Sequence, residues 1–384
     1  MNFQFSTAPK IVFGADSSRS IPAHAAAMGN NVCLVTGKSP RRVQWLIKIL
    51  QEKGLDPHII SISQEPETEL IANHVAEARA KGCDVVVAVG GGSVLDAGKA
   101  IAALIPNKRD LLDYLEVVGK GMPLEEKPLP LIAAPTTSGT GSEVTTNAVL
   151  LCAEHKVKVS LRSADMIADL AVVDPLLTIS APPEVTAATG LDALTQLMES
   201  FVSKFSSPMT DALCREGLKH GAQSLLKAYK DGQNAEARTG MALASLFSGI
   251  TLANAKLGAV HGFAAPLGGE FKAPHGAVCA ALLPYVMEVN IRALKNRDPQ
   301  NPALNAYDET AQILTGNSSA IAADGIEWVK DVCAAMKIPG LREIGVQERD
   351  FDSLASKAAR ASSMKGNPIE LTKQELREIL TNAL

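Results

Sequence analysis

Apolar positions in the first half of the chain alternate between short continuous runs and stretches of helical period. Ile11 to Gly14, Val32 to Thr36, His58 to Ile62 and Asp84 to Gly90 read as β-strands, and the unbroken run Val85 to Val89 suits a strand covered on both faces. Between them, Arg42 to Glu52 and Glu67 to Lys81 carry apolar side chains at helical spacing, and Val94 to Ala103 follows a glycine turn. This alternation predicts a doubly wound α/β domain with a mostly parallel sheet. Beyond the run Leu129 to Ala134, Thr146 to Leu151 and Lys156 to Leu161 read as a two-stranded insertion. Ala171 to Val173 reads as the last strand, stopped by Asp174-Pro175.

From Pro183 onward the period is helical throughout. Helices are predicted over Glu184 to Phe201, Met209 to Tyr229, Ala235 to Lys256, Gly276 to Val289, Ala306 to Leu314, Ile321 to Met336, Leu354 to Ala361 and Thr372 to Thr381. A boundary between 175 and 183 divides the chain into an α/β domain, 1–178, and an all-helical domain, 179–384. Thr239 to Ala255 has no charge, but it sits at the lower edge of the roughly 20 residues a membrane span needs, and its small and hydroxyl residues suit a packed internal helix.

Composition narrows the field. With 384 residues, 37 basic against 41 acidic side chains and a net charge of −4, the chain has no general attraction to nucleic acid or an anionic membrane. Cys33, Cys83, Cys152, Cys214, Cys279 and Cys333 are scattered with no CxxC pair, which suits buried thiols in a reducing compartment. The N-terminus lacks a basic segment followed by an apolar one, so a cytoplasmic enzyme without a signal peptide is expected.

Two loops carry candidate chemistry. Gly90-Gly91-Gly92-Ser93 lies between the strongest strand and a helix, where it serves either as a tight turn or as a phosphate cradle built from helix N-terminal amides. The loop Pro135 to Glu143, with Thr136, Thr137, Thr140 and Ser142, offers hydroxyls for pyrophosphate or ribose, or else simply turns the chain. Two such loops at strand ends favour a dinucleotide. In the second half, Asp192 and Gln196 are four apart on one helix face, and His261 and His275 can converge on them from separate elements. That set of oxygens and imidazoles suits a divalent metal, although either histidine alone reads equally well as a satisfied structural side chain.

GGGSVLDAGKAIA, APTTSGTGSEVT, VVDPLLT and GLDALTQLMES, in this order, resemble the iron-containing, or group III, alcohol dehydrogenase family. The resemblance implies a nicotinamide-binding α/β domain, a helical metal- and substrate-binding domain, and interconversion of alcohols with aldehydes or ketones. It implies that Gly91, Gly92 and Ser93 contact pyrophosphate, that Asp96 lies near the nicotinamide, that Thr137 and Thr140 line the cofactor and that Lys158 lies near a ribose. Asp96 reads alternatively as a helix-start carboxylate, and Lys99 as a solvated side chain or a ligand contact. Asp192, His261 and His275 become the catalytic metal ligands, holding Fe2+ or Zn2+, with Gln196 as a fourth. The family normally has histidine at the positions of Gln196 and Ala265; the first change implies a weaker site, and the second a less polar or larger pocket.

The loop after the second strand, Gly37, Lys38, Ser39, Arg41 and Arg42, has no carboxylate for a ribose hydroxyl and offers cations instead. NADP(H) is therefore expected over NAD(H), with Arg41 and Arg42 on the ribose phosphate; as a plain reading they start a solvated helix. A metal-independent NAD(P)H reductase of a keto acid and an inactive NADP-binding sensor are the competing functions, kept open by Gln196 and Ala265. The resemblance also implies a homodimer or larger homo-oligomer.

Overall fold

The structure is a computed structural model that describes residues 2–155, 157–271 and 273–384. It divides into two compact units, one of Thr7–Thr137 and Gly141–Thr178, the other of Met1–Ser6, Ser138–Thr140 and Ile179–Leu384.

In the first unit the strands are β1 (Ile11–Phe13), β2 (Val32–Gly37), β3 (His58–Ile62), β4 (Val85–Gly90), β5 (Leu131–Pro135), β6 (Asn147–Cys152), β7 (Val157–Arg162) and β8 (Leu170–Val173). Six of them form a parallel sheet in the order β1-β8-β5-β4-β2-β3, and β6 and β7 pair antiparallel as a separate hairpin. Lys156, where the second hairpin strand is expected to begin, lies outside the described residues. Every residue of β4 is buried, as its unbroken apolar run requires.

Helices α1 (Ile21–Met28), α2 (Gln44–Glu52), α3 (Thr68–Ala80), α4 (Gly92–Leu104) and the short α5 (Leu111–Tyr114) complete this unit. The sequence pattern gave no sign of α1, whose small apolar residues lack a clear period. Helix α4 lies close on the sheet because Gly98 has no side chain: a Cβ there would stand 2.5 Å from that of Ala88.

The second unit is helical among the described residues: α6 (Pro183–Phe201), α7 (Pro208–Lys230), α8 (Ala235–Ala255), α9 (Ala259–Phe271), α10 (His275–Arg297), α11 (Ala303–Thr315), α12 (Ala322–Ala335), α13 (Phe351–Arg360) and α14 (Lys373–Ala383). The predicted α/β and all-helical halves are both present. Helix α9 was not foreseen, because Gly262, Pro266, Gly268 and Gly269 all argue against a helix; packing overrides propensity here. Helix α10 runs eight residues beyond the predicted end, with Pro284 inside it. It is long and apolar enough to cross a membrane by composition, but 83% of its most apolar window is buried within the protein, as in a core helix. The uncharged stretch Thr239 to Ala255 forms most of α8, which ends where Lys256 adopts φ 62, and α9 departs at 101°.

Candidate active site

In the α/β unit the sheet order reverses direction between β2 and β4, since β3 lies outside β2 while β5 and β8 follow on the other side of β4. Open parallel sheets bind ligands outside the carboxyl ends of strands at such a point. Thr36 is level with Val89, and Gly90 with Pro135, so the loops after β2, β4 and β5 emerge side by side. Gly37 ends β2, and Lys38, Ser39, Arg41 and Arg42 follow it; Gly91, Gly92 and Ser93 follow β4; and Thr136 and Thr137 follow β5. Topology thus gathers three of the loops that the sequence singles out.

Glycine is needed in this corner for space. A Cβ on Gly90 would lie 2.5 Å from the Val94 side chain. Gly91 caps α4 without a side-chain hydrogen bond, so the first amides of the helix face outward unpaired by a cap. At Gly37 an added Cβ would meet nothing within 4 Å, and Arg41 and Arg42 lie exposed in the helical turn Pro40–Val43. Thr140 belongs to the segment Ser138–Thr140, which packs with the helical unit.

Three polar residues near these loops have partners within the protein. Both Asp96 oxygens are occupied within the protein: Oδ1 accepts from Ser142 Oγ at 2.6 Å, and Oδ2 accepts from the Val149 amide at 3.1 Å. Asp96 and Ser142 thereby tie α4 to the start of the hairpin, and each carboxylate oxygen keeps a further lone pair. Lys99 is neither solvated nor aimed at a ligand: it is 1% exposed, its Nζ donates to Thr145 Oγ1 at 2.9 Å and to the Asn147 carbonyl, and Asp96 is 3.2 Å away. Burial pulls its pKa down. Lys158, on β7, forms an ion pair with Glu65 beyond the end of β3.

The helical unit gathers a second cluster. Helix α6 is buried along most of its length, yet Asp192, Gln196 and Glu199 form a polar stripe at i, i+4 and i+7 on one face. His261 comes from the first turn of α9, and His275 opens α10. The close approach of α10 to α6 depends on Gly276, where a Cβ would lie 2.0 Å from the Ala188 carbonyl oxygen. His261 Nε2 stands 3.2 Å and His275 Nε2 3.7 Å from Asp192 Oδ1. Cys279, one turn along α10 from His275, places its Sγ 3.7 Å from both Nε2 atoms. The ligand atoms of Asp192, His261, His275 and Cys279 all lie within 4.8 Å of one another.

Hydrogen bonds around the cluster orient it. Glu199 Oε2 is 2.7 Å from His261 Nδ1, and Oε1 accepts from the Val260 amide at 2.7 Å. A carboxylate only accepts, so Nδ1 carries a proton toward Glu199, and Nε2, facing Asp192, holds either a second proton or, once that proton is displaced, a cation. A lone pair facing a carboxylate oxygen needs a cation or a proton between them, and this is how the residues fit a divalent ion. Burial opposes ionisation of Asp192, but His275 and His261 outweigh it and lower its pKa. Burial likewise opposes a Cys279 thiolate, and the same imidazoles bring its pKa below the usual thiol value. Burial disfavours a charged His261, yet Cys279, Asp192 and Glu199 raise its pKa well above the ordinary value. His275 is raised chiefly by Cys279 and, with a side chain 38% exposed, forms the open side of the cluster.

Gln196, expected among the ligands, turns its amide nitrogen to Asp192 Oδ2 at 3.0 Å, and its carbonyl oxygen accepts from Ser248 Oγ at 3.0 Å. In this orientation the amide steadies Asp192, and to ligate an ion Gln196 would have to turn its oxygen toward the site. Sequence reasoning missed Glu199 and Cys279. Their signals were the seventh position after Asp192 and the fourth after His275, each one helical repeat from a residue already singled out.

Residues 8–175 match the family model described as iron-containing alcohol dehydrogenase, and residues 186–384 match the Fe-containing alcohol dehydrogenase family, C-terminal. The chain is 35% identical to the 1,3-propanediol dehydrogenase of Klebsiella pneumoniae over 92% of each chain. It is 37% identical to the long-chain-alcohol dehydrogenase 1 of Geobacillus thermodenitrificans (strain NG80-2), over 86% of this chain and 82% of that one. Among solved structures, a 1,3-propanediol oxidoreductase aligns over 100% of both chains with a TM-score of 0.92 and 32% identity.

Proposed function

Because the chain belongs to the iron-containing alcohol dehydrogenase family, and is an oxidoreductase that acts on CH–OH groups with a nicotinamide cofactor and a metal, we propose that it is an NADP(H)-preferring alcohol dehydrogenase or aldehyde reductase. In this reading Asp192, His261 and His275 are catalytic residues that hold Fe2+ or Zn2+. The observation that carries it is the convergence of these three residues, with the Nε2 atoms of both imidazoles 3.2 Å and 3.7 Å from one carboxylate oxygen.

An ion held by Asp192, His261 and His275 would supply polarisation of the substrate oxygen, and a nicotinamide cofactor would supply or accept the hydride at the carbinol carbon. The side chains do the rest. Glu199 fixes the His261 ring, and Gln196 and Ser248 hold Asp192 in place. Gly91, Gly92, Ser93, Thr136, Thr137 and Thr140 receive the pyrophosphate and ribose, and Lys38, Ser39, Arg41 and Arg42 receive the ribose phosphate that distinguishes NADP(H). Ser142, Asp96 and Lys158 complete the cofactor-binding set, Asp96 toward the nicotinamide and Lys158 toward a ribose.

Ala265 follows His261 by one turn of α9, lies exposed and has no group to take a proton. The alcohol's proton therefore leaves to water on the side where His275 is open, and the substrate is a less polar or bulkier alcohol than a small diol. We place the enzyme in the cytoplasm as a homodimer or larger homo-oligomer.

The test is steady-state turnover of a series of linear alcohols and aldehydes with each cofactor, after anaerobic loading with Fe2+ or Zn2+. The reading predicts metal-dependent hydride transfer, faster with NADP(H) and improving with chain length. Metal-independent reduction of keto acids, or saturable NADP binding without turnover of any substrate, would refute it.

A further inference from the structure

The fourth protein donor is the open point of the metal site, since the position that should carry it is a glutamine already hydrogen-bonded on both sides of its amide. We infer that Cys279 supplies this donor, giving an Asp192–His261–His275–Cys279 site in which a thiolate compensates for the missing imidazole. The inference rests on the metal reading proposed above.

Four of the six donor-to-donor separations support it. Ideal tetrahedral zinc, with Zn–N and Zn–O near 2.0 Å and Zn–S near 2.3 Å, has N···O edges of about 3.3 Å and N···S edges of about 3.5 Å. The corresponding separations here are 3.2 and 3.7 Å from Asp192 Oδ1 to the imidazoles, and 3.7 Å from Cys279 Sγ to each imidazole. Both imidazoles approach the thiol through Nε2, the same atom that each turns toward Asp192, and the four donor atoms all lie within 4.8 Å of one another. Cys279 is fully buried, and its four-residue spacing from His275 sets both on one face of α10.

Chemistry points the same way. On binding, the thiol releases its proton to solvent, and the thiolate and the Asp192 carboxylate together neutralise a divalent ion in a buried setting. A sulfur donor also changes the choice of ion: it favours zinc over ferrous iron relative to an oxygen and imidazole set. Gln196 remains a positioning residue, acting through Asp192.

The test is zinc K-edge X-ray absorption on full-length protein loaded anaerobically with Zn2+, with zinc content measured by elemental mass spectrometry. The parent should hold near-stoichiometric zinc with one sulfur neighbour at about 2.3 Å. Cys279→Ser, close in size, should lose the sulfur shell and bind zinc at least tenfold more weakly, while Gln196→Ala should retain the sulfur shell. Zinc bound in the parent with nitrogen and oxygen neighbours alone would overturn the inference and leave the metal reading standing. Turnover by a parent that binds neither zinc nor iron would overturn both. The parent spectrum decides the point even if a variant fails to fold.

Discussion

Glu199 accepts the Nδ1 proton of His261 at 2.7 Å while its other oxygen accepts from the Val260 amide, so one buried carboxylate fixes both the ring and the backbone that carries it. The charge, and not the shape, is what makes His261 a good donor. Glu199→Gln should keep the fold and lower metal affinity by about ten- to a hundredfold, in line with other removals of a carboxylate behind a metal-binding histidine. Competition with a chromophoric chelator measures it; unchanged affinity would mean that the His261 ring is held by packing alone.

Gly276 is where α10 rests on α6. An alanine there would set a methyl group 2.0 Å from a backbone carbonyl that has little freedom to retreat. Gly276→Ala should destabilise the protein by about 1–3 kcal/mol through overpacking, and should weaken metal binding by moving His275 and Cys279 together. Urea denaturation and metal titration of the same sample check both effects.

Gly37 stands at the end of β2 with open space where a side chain would begin. Gly37→Asp is therefore tolerated, and its carboxylate repels a ribose phosphate while accepting from ribose hydroxyls. The ratio of kcat/KM for NADPH over NADH should fall at least tenfold, a change of about 1.4 kcal/mol in relative transition-state stabilisation. An unchanged ratio would place cofactor discrimination elsewhere.

Glu143 is buried, and its Oε2 has no hydrogen-bond partner among the described residues. Burial raises its pKa from 4.5 to about 7, with Lys99 pulling the other way. The folded chain thus holds a proton that the unfolded chain has released, and the associated stability, fully present below the unfolded value, is lost as pH rises through about 7. Glu143→Gln should gain on the parent between pH 5 and pH 8, by about 2–3 kcal/mol. Thermal melts at the two pH values are sufficient; a gap that does not widen with pH would contradict the burial argument.

Strands and long helices were legible because each carries its own period: β4 is apolar at every position, and α6, α7 and α8 repeat over several turns. Helix α9 was not, because its local residues argue for a turn, and burial of Val260, Phe263, Ala264 and Leu267 in the core of the helical unit outweighs that local preference. The same division runs through the site. Asp192, His261 and His275 were visible as residue types in a recognisable order, whereas the orientation of an amide is decided by neighbours far away in sequence. Gln196 could not be seen to face Ser248, nor Asp96 to accept from Val149, without the fold. Lys99 is the plainest case, since a lysine on a short helix reads as solvated until a hairpin beyond β5 is seen to cover it.

Asp192, His261 and His275 lie on three different helices, so an ion held by them cross-links segments that are distant in the unfolded chain. Whatever binds only the folded form adds to its stability by mass action, about 2.7 kcal/mol at a hundredfold excess of free ion over its dissociation constant. On the proposed metal reading the helical half is a chelate, and its resistance to heat and proteolysis should rise with the concentration of free ion.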